Sequence, residues 1–243
     1  MEKTIERLRD DAHYYGEFGS QFLSNSDISA LLGNPKDFKK PQENNINFEK
    51  GKYFHQLILE PEKAELWEFV DVSSRNTKAY KEHCNENNLD FAMLNKEAEE
   101  IRSCVETMMS NLDFYEEIRN PNNEYEVPAI GEIEGVMWKG KADIVHPDMI
   151  IDLKTTSNIN DFKYSARKYN YDSQCYIYQE LFQKPLVFYV VDKTSGMLGI
   201  FRPTEEFIKR GKDKVVRAIE VWEKFFSPNA THDIEHYYYD EYL

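Results

Sequence analysis

No stretch of this 243-residue sequence stays apolar for the roughly 18 residues that a membrane-spanning helix needs. The opening residues, Met1 to Arg7, lack the basic-then-apolar layout of a signal peptide, so a cytoplasmic location without a membrane partner is expected. Cysteine is scarce: Cys84, Cys104 and Cys175 are odd in number, scattered, and never form a C-x2-C pair. That leaves a disulfide framework, a structural zinc site and an iron–sulfur cluster without support, and ordinary reduced thiols are expected. Internal repeats and low-complexity segments are absent. Positive charge is also short, with 30 Lys and Arg against 44 Asp and Glu and a net charge of −14. This weighs against a nucleic-acid partner, because phosphate binding is driven by lysine and arginine. Local clustering softens the objection, since Lys139, Lys141, Lys154, Lys163, Arg167 and Lys168 fall close together in sequence.

What remains is a composition of 41% apolar and 30% charged residues, ordinary for a globular protein and long enough for a sizeable core. A short helix and a polar connector open the chain. A helix over Asp27 to Leu32 follows, with Asn25 or Ser26 as its cap, Gly33 at its end and Pro35 starting another turn. After the polar Lys39 to Asn45, the pattern predicts a helix over Phe48 to Leu59 ended by Pro61, then a strand over Trp67 to Val72. Helices are predicted near Lys78 to Asn87 and Asn95 to Asn111, Ile159 to Lys168, Tyr171 to Phe182, and from Pro203, with Glu205 and Glu206 in its first turn, through Val215, Ile219 and Trp222 to Phe226. Leu186 to Val191 and Met197 to Phe201 read as a late hairpin, the first of its strands well buried.

The chemistry concentrates between Glu124 and Lys154. Val136 to Val145 and Ile150 to Thr155 are β-branched and apolar, and His146-Pro147-Asp148-Met149 between them has turn composition. If Val145 opposes Ile150, Asp143 falls opposite Asp152 and Lys141 opposite Lys154, all on one face. Opposed side chains stand about 4.5–5.5 Å apart, and two carboxylates there need a cation between them. A one-residue slip would separate them onto opposite faces. Paired acidic oxygens favour a hard ion such as Mg²⁺ or Mn²⁺, and a lysine two residues past Asp152 can orient a water or hold charge developing on phosphorus. The competing reading is a solvated strand with alternating charge. It is weakened by the apolar run Met149-Ile-Ile-Asp-Leu-Lys, in which an unpaired charge is costly. His55, alone in an amphipathic helix, reads on these grounds as a structural residue.

Taken together, G-K-A-D-I-V, I-I-D-L-K-T-T and Y-D-S-Q-C-Y-I-Y resemble the PD-(D/E)xK nuclease superfamily. Within it they are similar to the exonuclease VIII (RecE) and RecB-nuclease-like branch of phage and bacterial recombination. That branch adds a histidine from an upstream helix, matched by Gly51-Lys-Tyr-Phe-His55, and a Q-x3-Y motif, matched by Gln174-Cys-Tyr-Ile-Tyr178. Leu23-Ser-Asn-Ser-Asp-Ile-Ser-Ala-Leu-Leu looks like its N-terminal capping segment, so the likeness spans Phe22 to Leu181.

The resemblance implies an α/β fold with a restriction-endonuclease-like central mixed sheet flanked by helices. It implies one domain over 1–243: a mostly helical part at 1–120, the catalytic core at 121–202, and a helix with an acidic tail at 203–243. It implies one or two Mg²⁺ or Mn²⁺ ions held by His55, Asp143, Asp152 and the backbone carbonyl of Leu153. Asp143, Asp152 and Lys154 would be catalytic. Gln174, Tyr178 and Lys141 would contact DNA or support the site, with Glu124 and Glu126 as weaker candidates; Arg75 and Lys78, read from the residues alone, could touch phosphate, against the competing reading of solvated surface charge. The expected activity is exonucleolytic digestion of linear duplex DNA from its ends, 5′ to 3′, in recombination or repair. A homo-oligomeric ring, a single-strand annealing partner and a phage origin within a bacterial cytoplasm are implied as well. Two alternatives are a catalytically silent DNA-binding or assembly subunit and a structure-specific endonuclease. The sequence departs from the superfamily in carrying Asp152 where glutamate is commoner. It also lacks the cysteines that hold a cluster in iron–sulfur relatives, so no cluster is expected. His232 and His236 have zinc-ligand spacing, but their acidic, tyrosine-rich surroundings read as a solvated tail or an oligomer contact.

Overall fold

The computed structural model describes residues 1–41 and 45–239. Residues 42–44 of the polar segment and 240–243 of the acidic tail lie outside the described residues. The chain begins with three short helices, α1 (Glu2–Arg7), α2 (Asp11–Tyr15) and α3 (Glu17–Ser20), followed by α4 (Asn25–Leu32). The cap of α4 is Ser24, one residue before the expected Asn25: Asp27 reaches back to the Ser24 amide and forms a capping box. Next come α5 (Ile46–Leu59), α6 (Pro61–Ala64), α7 (Lys78–Glu86), α8 (Asn95–Ser110) and α9 (Leu112–Ile118). Pro61 therefore starts a helix as well as ending one, since its missing N–H falls where no intrahelical bond is made. The segment 67–72 is not a strand. It makes one bridge, Val70 with Leu94, and has no neighbour along which a ladder could grow.

Strands β1 (Glu124–Ile133), β2 (Val136–Val145) and β3 (Ile150–Thr156) follow, then α10 (Phe162–Lys168), α11 (Tyr171–Phe182), β4 (Leu186–Asp192), β5 (Leu198–Phe201) and α12 (Glu205–Phe225). They form a five-stranded mixed sheet in the order β1-β2-β3-β4-β5. Only the β3–β4 pair is parallel, and its crossover carries α10 and α11. The β1–β2 turn has Glu134 at φ 49° and Gly135 at φ 81°, the mirror-image turn that matches strand twist. Glu134 is tied down by Lys212 at 2.8 Å and the Tyr176 hydroxyl at 3.0 Å.

Helices cover both faces of the sheet, and each strand sends alternate residues to the two sides. Leu186, Phe188 and Val190 of β4 join Ile28, Leu31, Ile177, Val215 and Ile219 on the face covered by α4, α11 and α12. Val187, Tyr189 and Val191 join Tyr53, Phe54, Ile58, Ile101 and Met108 on the face covered by α5 and α8. This two-sided cover is why every residue of β4 is buried. The N-terminal segment lies against the outer hairpin. Leu23 bridges to Trp138, and Leu8, Tyr14 and Phe22 pack on Ile130.

Candidate nuclease centre

The expected register, Val145 opposite Ile150, is the one observed, but the β2–β3 ladder consists of that pair and Ile144 with Ile151. Beyond them the strands part, while β3 stays paired with β4 along its whole length. Asp143 and Asp152 are therefore not a cross-strand pair, and the one-face arrangement of Lys141, Asp143, Asp152 and Lys154 does not form. The physical reason lies in β2: Ala142 packs on the α11 side and Ile144 on the α5 side, so the strand's alternation is reset at Asp143.

That opening leaves the N–H and C=O of Leu153 without backbone partners from β2, and side chains take both. Leu153 donates its N–H to Asp143 Oδ2 at 2.8 Å. Its carbonyl is 2.8 Å from His55 Nε2, so the imidazole carries its proton there. The same His55 nitrogen stands 3.5 Å from Asp143 Oδ2. His55 reaches this point because Tyr53, Phe54 and Ile58 of α5 are buried against the sheet. The buried apolar side of α5 thus presents the histidine to the open strand edge.

Asp152 projects to the other side, toward α11, and is only 2% exposed. Gln174 Nε2 donates to its Oδ1 at 2.6 Å. Its Oδ2 is buried with no aligned hydrogen-bond donor, and Lys154 Nζ stands 2.5 Å away as an ion pair. Burial pushes the Asp152 carboxyl upward; Lys154 pulls it back and the Asp143 charge adds to the rise. Burial alone would lower the Lys154 amine, but Asp152, Tyr171 and Asp143 together more than reverse that and keep it charged. Tyr178 does not reach the acids. Its hydroxyl donates to the Lys141 carbonyl at 2.9 Å and lies 3.3 Å from the Lys141 N–H, steadying β2 beside the opening.

Glu126 completes the acidic side. The β1–β2 ladder passes from Tyr125–Ile144 to Val127–Ala142, which leaves Glu126 across from Asp143 without a paired bond. Its backbone is left-handed at φ 51°, a conformation costing a non-glycine residue about 1–3 kcal/mol. Burial, then the Asp143 charge, pushes its carboxyl up to about 7. Lys141, expected to face Lys154, instead puts its ammonium on Asp11 and lies 3.7 Å from Glu126.

The remaining candidates sit elsewhere. Arg75 is bound by both terminal guanidinium nitrogens to Glu97, at 3.1 and 2.5 Å, a bidentate internal tie. Lys78 is a surface residue paired with Glu82 on its own helix. Glu124 stands at the exposed start of β1, opposite Val145. Tyr171, Asp11 and Lys63 border the centre without a motif to announce them.

A hard divalent cation suits this donor set: aspartates, a glutamate, an imidazole and a backbone carbonyl. Asp152 Oδ2 already has the Lys154 ammonium at 2.5 Å, so the fit to an ion lies in the chemistry of the donor set. Among the described residues, however, no three His, Cys, Asp or Glu side chains stand close enough as placed to hold an ion. The acids are turned to their protein partners, Asp143 to Leu153 and Asp152 to Gln174. The residues therefore fit the ion in kind, in a self-bonded arrangement.

A mixed sheet opening at its second and third strands, with His55, Asp143, Asp152 and Lys154 at the gap, is of the PD-(D/E)xK nuclease superfamily type. Residues 23–229 match the family described as PDDEXK-like domain of unknown function (DUF3799), and the chain belongs to that family. Among solved structures it is similar to a protein from Eubacterium rectale described as a candidate exonuclease, at 16% identity and a TM-score of 0.64, over 96% of this chain and 95% of that one. This likeness extends through the sheet and its helices and concerns the fold. The structure of SSO0001 overlaps at 16% identity and a TM-score of 0.32, over 78% of this chain and 83% of that one, too low to bear on the reading. No curated protein matches the sequence.

Proposed function

We propose that this chain is a divalent-metal-dependent deoxyribonuclease that hydrolyses phosphodiester bonds at the ends of linear duplex DNA. The observation that carries this reading is the open β2–β3 edge, where Asp143 and His55 hold the Leu153 backbone and Asp152 is fixed between Gln174 and Lys154. Family membership supports the nuclease class, and the described activity of the Eubacterium rectale protein favours exonucleolysis. His55, Asp143, Asp152 and the Leu153 carbonyl would hold the ion, with Glu126 adjoining. When bound, Mg²⁺ or Mn²⁺ supplies Lewis acidity at the scissile phosphate and a hydroxide near neutral pH.

The chain's own groups do the rest. Lys154, kept protonated by Asp152, stands ready to neutralise charge building on the phosphoryl oxygens. Gln174 restrains the Asp152 carboxylate, a role whose loss typically reduces metal affinity or activity about 10–100-fold. Tyr178 keeps β2 at a fixed distance from α11. The whole chain acts as one nuclease unit in this reading. The 5′ to 3′ direction, a ring around DNA, an annealing partner, and work in recombination within a bacterial cytoplasm extend it by resemblance.

The test compares linear with closed circular duplex, with and without Mg²⁺. Wild type should release nucleotides from the linear form only and only with metal, and Asp152→Ala should lose about 10²–10³-fold in rate, the scale of removing a principal charge-stabilising group. Equal activity of Asp152→Ala would overturn the site, and equal cutting of the circle would make the enzyme an endonuclease.

A further inference from the structure

The first 22 residues lie outside the 23–229 family match, yet they place a carboxylate beside the centre. Asp11, on α2, gives Oδ1 to the Lys141 ammonium and accepts from Lys63 Nζ on Oδ2 at 3.1 Å. One anion thus bridges two cations from separate elements, β2 and α6. The Lys141 side chain is 7% exposed while Asp11 is 41% exposed, so the cation is built into the protein and the anion meets solvent. Burial opposes the charge on Asp11, yet its bonds to Lys141 and Lys63 hold its carboxyl below the usual range. Lys63 Nζ is 2.5 Å from Glu60, and Lys141 Nζ is 3.7 Å from Glu126, the neighbour of Asp143. The Lys141 ammonium is therefore one residue removed from the proposed metal ligands.

Resting on the nuclease reading, we infer that Lys63 and Lys141 form a seat for a backbone phosphate of the substrate strand, and that Asp11 occupies this seat until DNA displaces it. A carboxylate and a phosphate both offer paired anionic oxygens to ammonium donors at about 2.7–2.9 Å. With Asp11 present, Glu60 and Asp11 already match the charges of the two lysines, before any charge on Glu126 is counted. Displacement of one side chain converts the pair of lysines to a phosphate site. The segment need not unfold for this. Leu23 stays bonded across the sheet edge to Met137 and Lys139 at 3.1 and 2.7 Å, and the Tyr14 carbonyl accepts from buried Lys139. The alternative, a bridge that only fastens the segment, would require Asp11 for folding and leave DNA indifferent to it.

Equilibrium binding of a short blunt duplex to the full chain in metal-free buffer separates the two, because no cleavage is needed. Asp11→Asn should bind several-fold tighter than wild type, with the log–log salt slope steeper by about one unit, as one more phosphate contact gives. Lys63→Ala should weaken binding in the wild-type chain and cancel the gain in the Asp11→Asn background. Equal or weaker binding by a folded Asp11→Asn chain overturns the inference and leaves the nuclease reading intact. If that variant does not fold, Lys63→Ala decides: unchanged DNA affinity overturns the inference and weakened affinity supports it. If no variant binds duplex at all, the nuclease reading falls and this inference with it.

Discussion

At the scale of single residues, Glu126, Asp152 and Lys154 of the centre are held away from their ordinary ionisation. Glu126 shows this most clearly, its carboxyl raised from 4.5 to about 7 by burial and then by Asp143. The consequence for stability has a definite sign. Between those two values the folded chain keeps the proton and the unfolded chain has lost it, so stability falls as pH rises through the window. At about 1.4 kcal/mol per unit, the shift is worth about 3–4 kcal/mol. Glu126→Gln, which cannot ionise, should become more stable relative to wild type by that amount as urea unfolding in chelator moves from pH 4.5 to 7.5. A constant difference across the range would mean that Glu126 is ionised without penalty. The same residue shows what sequence can and cannot reveal. That a glutamate stands upstream of Asp143 is visible in the letters. Its left-handed backbone and its position across from Asp143 are products of the β1–β2 pairing.

At the scale of elements, the boundaries of β2, β3 and α11 were legible because each carries a strong local signal: a β-branched run, a proline turn, an amphipathic helix. Which residues share a face was less so. Strict alternation along β2 predicts a four-residue charged face, and the slip at Asp143, set by packing of Ala142 and Ile144 on opposite sides, removes it. The strand expected over Trp67 to Val72 failed because β-branched composition needs a partner, and tertiary packing offers one bridge. Helix α11 bears Gln174 and Tyr178, and its start is fixed by a junction with α12. There Asp172, fully buried, accepts from Arg210 at 2.8 Å and Lys214 at 2.9 Å. A Cβ at Gly211 would come 2.0 Å from the Asp172 carbonyl oxygen. Gly211→Ala should therefore destabilise by about 2–3 kcal/mol, the scale of overpacking a tight contact, and lower activity by shifting α11. A thermal midpoint equal to wild type would show that α12 can move aside freely.

At the scale of the whole molecule, function depends on convergence. His55 precedes Asp143 by a long stretch of chain, and its approach is made possible by an α5 helix seated on the face opposite α11. No local pattern contains that. The histidine became legible only by resemblance to a superfamily, whereas by its own neighbourhood it looked structural. The N-terminal segment was less legible still, because Asp11 acquires meaning only beside Lys63 and Lys141. The net charge of −14 pointed away from nucleic acid for a similar reason: it sums the surface and overlooks where cations are held.

The claim on which all of this turns is that His55, Asp143 and Asp152 serve one cation. Titration of the DNA-free chain with Mn²⁺, followed by the loss of the free-ion electron paramagnetic signal, measures it without reference to activity. Wild type should bind one or two ions, with Asp143→Asn and Asp152→Asn each losing at least tenfold in affinity and His55→Ala a smaller factor. Undiminished Mn²⁺ binding by the two aspartate variants, with their folds intact, would contradict the account.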